Sequence, residues 1–143
     1  MPLIDDNLDE DYESKPVPES EYELRIDRYE WKSARSDGHD LIQCTIVVQN
    51  PPDDMKNPAP IMHFMNLAST GRGAKKMDGL DPNVVDMWRR NNKRFLTTFG
   101  VPIENGGFND EDLQGATGKC LVTKDEPDDE GNEYNRLKLP RVG

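Results

Sequence analysis

A mainly β fold with a single helix is what this sequence predicts: five short strands, the helix lying between the third and the fourth. Three observations carry the expectation. Apolar and polar residues alternate through the first half of the chain, one stretch from 81 to 100 switches to helical spacing, and segments rich in proline and glycine punctuate the runs.

Tyr22, Leu24 and Ile26 alternate as the inward face of a first strand, and Asp37-Gly38 in "SDGHD" is a favourable turn pair after it. In the second strand Ile42, Cys44, Ile46 and Val48 make one face, while Gln43, Thr45 and Gln49 mark the other. "NPPDDMKNPAP" cannot continue a ladder because its prolines lack donors, so it reads as a loop. "IMHFMNLAS", residues 61 to 69, is a third strand, apolar on both faces, and "TGRGAKKMDG" is a basic loop. Asp81 then fits a helix N-cap, with Pro82 at the first helical position and Gly100 as the stop. Val84, Val85, Trp88, Phe95, Leu96 and Phe99 form its apolar stripe, Trp88 being assigned to the core. Arg89, Arg90, Lys93 and Arg94 form the opposite, solvated side, and Asn91-Asn92 weakens the middle. After the loop "VPIENGGFNDEDLQGATG", "KCLVTK" is a fourth strand and "EYNRLKLP" a fifth. Three strands, a helix and two strands is the element order of the oligonucleotide-binding (OB) barrel.

Length and charge set the boundaries of this domain. The 143 residues suffice for one domain with a modest core, and charged residues (32%) nearly equal hydrophobic ones (34%), so part of the chain is expected not to pack. Residues 1–18 read as a disordered acidic arm and 19–143 as the barrel domain. No apolar run approaches the roughly 20 residues of a membrane span, and the start has no basic and apolar leader pattern. Cys44 and Cys120 have neither CxxC spacing nor a histidine cluster nearby, and are expected to be reduced core residues. The net charge is -10, but it is unevenly placed. Six acids lie in residues 1–14 and six in 125–133, with no base in either run. Setting those twelve aside leaves sixteen acids against all 18 lysines and arginines, a body near +2. An acidic total is therefore compatible with an anionic partner.

The segments "PVPESEYELRI", "HFMNLAS", "FLTTFGVP" and "DLQGATGKCLV", in that order, resemble the small single-stranded DNA-binding proteins encoded by tailed bacteriophages. The resemblance runs from about residue 16 to 142. It implies an OB fold, no catalysis, location in the host cell cytoplasm, and protection of exposed strands in phage DNA replication, recombination and repair. Many such proteins end in an acidic tail that contacts partners, whereas this chain ends "LKLPRVG".

Single-strand binding needs cations that track phosphates and flat side chains on which bases stack. The candidates are Tyr29 and Trp31 on the first strand and Phe64 on the third. Arg25, Arg28, Lys32 and Arg35 lie around the first two, and Arg72, Lys75 and Lys76 can close over one edge. Lys138 and Arg141, near the end of the last strand, are further candidates for edge contacts. Strict alternation from Ile26 points Tyr29 and Trp31 outward with Arg25; a bulge near Asp27–Arg28 points them into the core. Expected partners are single-stranded DNA and, through acidic segments 5–13 or 125–133, replication or recombination proteins. A homo-oligomer is compatible with the sequence; a membrane partner is not expected. The arm can also compete with DNA for the cationic face, or serve solubility alone.

No enzyme pattern is expected, and neither a cofactor nor a metal. Gly71, Gly73 and Lys75 do not complete a phosphate loop, and His39 and His63 are the only histidines. "EPDDEG" approaches a calcium loop, but the acid needed at the twelfth position falls on Leu137. A rival reading from another class is an acidic DNA mimic or interaction module that inhibits or docks to a host nucleic-acid-binding protein. Such a mimic should carry acid across its folded surface.

Overall fold

The computed structural model describes residues 3–4, 13–33, 40–55, 57–67 and 81–141. Its strands are β1 (Ser20–Ser33), β2 (Asp40–Val48), β3 (Ile61–Asn66), β4 (Thr117–Lys124) and β5 (Asn135–Lys138). One α-helix, α1 (Pro82–Thr98), and a short 3-10 helix (Asp110–Leu113) lie between β3 and β4. The sheet order is β3-β2-β1-β4-β5, every pair antiparallel, and β5 returns alongside β3. The result is a nearly closed five-stranded barrel of OB type.

β1 is long because both neighbours use it. Its first half pairs with β4, from Ser20↔Val122 to Arg25↔Thr117, while β2 follows it from Leu24 to Ser33. Tyr22, Leu24 and Ile26 are buried as the alternation requires. The register against β2 then steps from Ile26↔Ile46 to Arg28↔Thr45, so Asp27 is an extra residue, a β-bulge. The turn after the 3-10 helix pins it. Ile26 N–H donates to the Ala116 carbonyl at 2.8 Å and Gly115 N–H donates to the Ile26 carbonyl at 2.9 Å. The Gln114 side-chain amide donates to the Asp27 carbonyl. Gly115 makes this turn at φ 80°, a conformation that glycine adopts without steric cost.

The helix follows its capping signals. Asp81 accepts the Asn83 N–H at 2.9 Å, Pro82 opens the first turn, and Gly100 ends it at φ 67°. It runs unbroken through Asn91-Asn92, which instead serve packing: the Asn92 amide donates to the Asn66 carbonyl at the end of β3, 2.8 Å away. Phe95, Leu96 and Phe99 pack into the barrel interior with Leu24, Ile26, Ile42, Ile46 and Val122, and Val85 is buried outside that cluster. Trp88 departs from expectation. It is half-buried and borders an open cleft instead of the core. Cys44 and Cys120 are buried and free, and burial pushes their thiols up to about 12 and about 11.

Residues 15–18, read from the sequence as part of the arm, are seated on the barrel. Lys15 N–H donates to the Asn57 carbonyl at 3.0 Å, and Ala59 N–H donates to the Lys15 carbonyl at 2.7 Å. Val17 is fully buried, its N–H donating to Asn135 Oδ1 at 2.8 Å while Asn135 Nδ2 donates back to its carbonyl at 2.9 Å. Pro16 and Pro18 cannot extend a ladder, so one side-chain amide satisfies the residue between them. Residues 5–12 of the expected arm and the Asp37-Gly38 turn lie outside the described residues. Among the described residues, no helix is long and apolar enough to cross a membrane.

Helix end and sheet approach closely at Gly118 of β4. A Cβ there would lie 3.2 Å from Phe99 Cα and closer still to the Thr98 carbonyl, both main-chain groups that cannot swing aside. Gly118→Ala should therefore lower unfolding stability by about 1–3 kcal/mol. A urea titration checks this; an unchanged midpoint would show that the helix end shifts freely.

Candidate nucleic-acid interface

Residues opposite one another in an antiparallel pair share a face, so the register assigns the outer surface. Before the bulge Arg25 points outward; after it Arg28, Glu30 and Lys32 do, opposite Thr45, Gln43 and Leu41 of β2. Met62 and Phe64 of β3 continue the same face, opposite Thr45 and Gln43. Phe64 is 51% exposed and Met62 40%, unusual for strand residues of their size. Arg28 Nε donates to Thr45 Oγ1 at 3.5 Å. Arg25 pairs with Asp27 at 3.2 Å and Lys32 with Glu30 at 3.6 Å. These pairs are solvent-exposed and contribute little to stability, so their cations are exchangeable.

Tyr29 and Trp31 lie on the other side. The bulge sets them opposite Cys44 and Ile42, both fully buried, and both rings pack half-buried against the core. Trp31 Nε1 donates to Asp110 Oδ2 at 2.9 Å. Burial, and then the charges of Asp110 and Glu111, push the Tyr29 hydroxyl above its ordinary range. A phosphate beside these rings would meet carboxylates. Of the sequence-derived candidates, the structure thus gathers Arg25, Arg28, Lys32 and Phe64 on the outer face and turns Tyr29 and Trp31 inward. Arg35, Arg72, Lys75 and Lys76 lie outside the described residues.

Where β3 and β5 meet, the barrel is open. A cleft of about 760 Å³ lies there, walled by Met62, Phe64, Tyr134, Arg136 and Lys138, with Trp88, Asn91 and Arg94 of the helix at one end. Tyr134 is 56% exposed, and its carbonyl accepts the Asp125 N–H at 2.9 Å, closing the base of the β4–β5 connection. That connection is internally ordered. Asp128 accepts the N–H groups of Asn132 and Glu130 at 2.9 and 3.0 Å, which hold its carboxyl below the usual range, Asn132 most of all. Arg94, expected on the solvated side of the helix, is half-buried and lines the cleft, whereas Arg89, Arg90 and Lys93 are exposed.

Tyr134 and Arg136 were not among the expected site residues. Their signal was present: Tyr134, Arg136 and Lys138 alternate with Asn135 and Leu137 in "YNRLK", the period of one strand face. The surrounding acid run obscured it. A second hollow of about 590 Å³, lined by Glu104, Asn109, Asp110 and Asp112, is acidic.

Behind the cleft His63 stacks on Phe95, ring centroids 4.2 Å apart and 10° from parallel. Burial pulls its pKa down from 6.5 to about 4. The unfolded chain takes up this proton below about pH 6.5 while the folded one resists until about 4. Stability is therefore full above pH 6.5 and falls across that window by about 3 kcal/mol. His63→Phe, which keeps the stack, should remove this part of the pH dependence; parallel unfolding curves for the two proteins at pH 7 and pH 4.5 would contradict the assignment.

No protein-family model and no curated protein matches the chain, so its function is read from the barrel, the outer face and the cleft themselves.

Proposed function

We propose that the protein binds single-stranded DNA without sequence preference, by binding alone and not by catalysis, and protects exposed strands in phage DNA replication, recombination and repair. The observation that carries this reading is the cleft. Phe64 and Tyr134 are the two most exposed aromatic rings among the described residues, and both border it beside Arg136 and Lys138. Rings accept the face of any base, and cations follow the phosphates, so affinity arises without base reading. Arg28 and Lys32 extend the cationic track over the outer face of β1. A duplex keeps its bases paired inside and cannot lay them on the rings. The phage setting is supported by the order of the sequence motifs.

The rival reading, an acidic DNA mimic, is favoured by one observation: Glu104, Asp110 and Asp112 place acid on the folded body around the second hollow. The two readings separate in one titration. Oligo-dT should bind in preference to duplex, and the slope of log affinity against log salt should be on the order of -2 to -4, for three to six phosphate contacts. Equal binding to duplex, or none at low salt, would favour the mimic.

The rings can be tested singly. Phe64→Ala and Tyr134→Ala should each weaken oligo-dT binding by about 5- to 150-fold, or 1–3 kcal/mol, with unfolding little changed. Trp31→Ala should act the other way round, lowering stability on the order of 2–3 kcal/mol through lost packing, with near-normal binding by the folded fraction. Normal binding by both ring variants would move the site away from the cleft.

A further inference from the structure

The β4–β5 connection carries an acid run, and its base is fastened to the cleft. Asp125 Oδ1 lies 3.2 Å from Arg136 Nε, and Glu133 Oε2 lies 3.6 Å from Lys124 Nζ. Asp125, Glu133 and Arg136 all line the cleft together with Tyr134. The Asp125 backbone is held beside the ring, its N–H donating to the Tyr134 carbonyl at 2.9 Å.

We infer that Asp125 is an internal phosphate surrogate: its carboxylate occupies on Arg136 the place that a strand phosphate takes, and binding exchanges one for the other. This rests on the single-strand reading of the same cleft. A guanidinium offers the same donors to a carboxylate and to a phosphate, so the exchange needs no rearrangement of Arg136. The pair is exposed, with side-chain accessibilities of 71% for Arg136 and 38% for Asp125. It therefore lowers apparent affinity without blocking the site. The exchange also sets what binds well. A polyanion that brings charge alone must displace Asp125 with nothing to offset it, whereas a single strand adds stacking on Tyr134 and Phe64.

The test is oligo-dT titration of the full chain carrying Asp125→Asn, Arg136→Gln or both. As a control, Asp129→Asn removes the same charge from the same connection at a residue that does not line the cleft. Asp125→Asn should tighten binding by about two- to five-fold at low salt. Its salt slope should be steeper by up to about 0.7, one more phosphate being neutralised without a competitor. In the Arg136→Gln background the gain should vanish, and Asp129→Asn should give less of it. Unchanged or weaker binding by Asp125→Asn, or an equal gain from Asp129→Asn, overturns the surrogate while leaving single-strand binding in place. Failure of the unmodified protein to bind oligo-dT overturns both.

Discussion

The bulge at Asp27 is the constraint on which the molecule depends. One strand, β1, pairs with β4 along its first half and with β2 along most of its length, and a bulge bends a strand where such a sheet curls towards a barrel. The extra residue supplies the bend and exchanges the faces of everything after it. Without it Tyr29 and Trp31 would stand in solvent, and Arg28 and Glu30 would fall opposite Cys44 and Ile42. Burying unpaired charge costs far more than the roughly 1.5–3 kcal/mol gained from each buried large apolar side chain, so the alternative register is excluded. The device is held from a distance by Gln114, Gly115 and Ala116, which accordingly tie the 3-10 helix, and Trp31 through Asp110, to the first strand.

The second organising feature is incomplete closure. β5 has four residues and β3 six, and no ladder joins them, although they run side by side. Each end of the seam is finished by a side-chain amide: Asn92 bonds the Asn66 carbonyl at the end of β3, and Asn135 holds Val17 beneath β5. Between them the seam remains a cleft. Its inner wall is hydrophobic and ordered, with His63 stacked on Phe95, and its outer rim carries exposed rings and cations. A barrel closed by a full β3–β5 ladder would have spent the rim's backbone on pairing and left no opening of this size.

Charge is arranged at two scales. Along the chain, acid is concentrated in the first fourteen residues and in the β4–β5 connection. On the surface, the cations of the outer face and the seam mostly stand beside a carboxylate: Arg25 with Asp27, Lys32 with Glu30, Lys124 with Glu133, Arg136 with Asp125. Each pair is weak in water, so the face presents cations already oriented yet available to a competing anion. The acid around Asp110 has a different structural part, orienting Trp31 through its indole N–H.

Local chemistry in the sequence determined the elements. Alternation marks β1 and β2, the Asp81-Pro82 start and Gly100 stop mark α1, and the order of five strands and one helix specifies the barrel, because each is set by residues adjacent in the chain. Phe64 was legible as a candidate ring, although a strand apolar on both faces does not say which way it points, and the alternation of Tyr134, Arg136 and Lys138 was there to be found. Tertiary structure alone decided which way Tyr29 and Trp31 point. The bulge that turns them inward is stabilised by a turn some ninety residues later, whereas strict alternation from Ile26 alone points them outward. It also decided that Trp88 and Arg94 reach a cleft and that Val17 belongs to the core. Those roles come from where a helix and a strand end in space, which no run of neighbouring residues encodes.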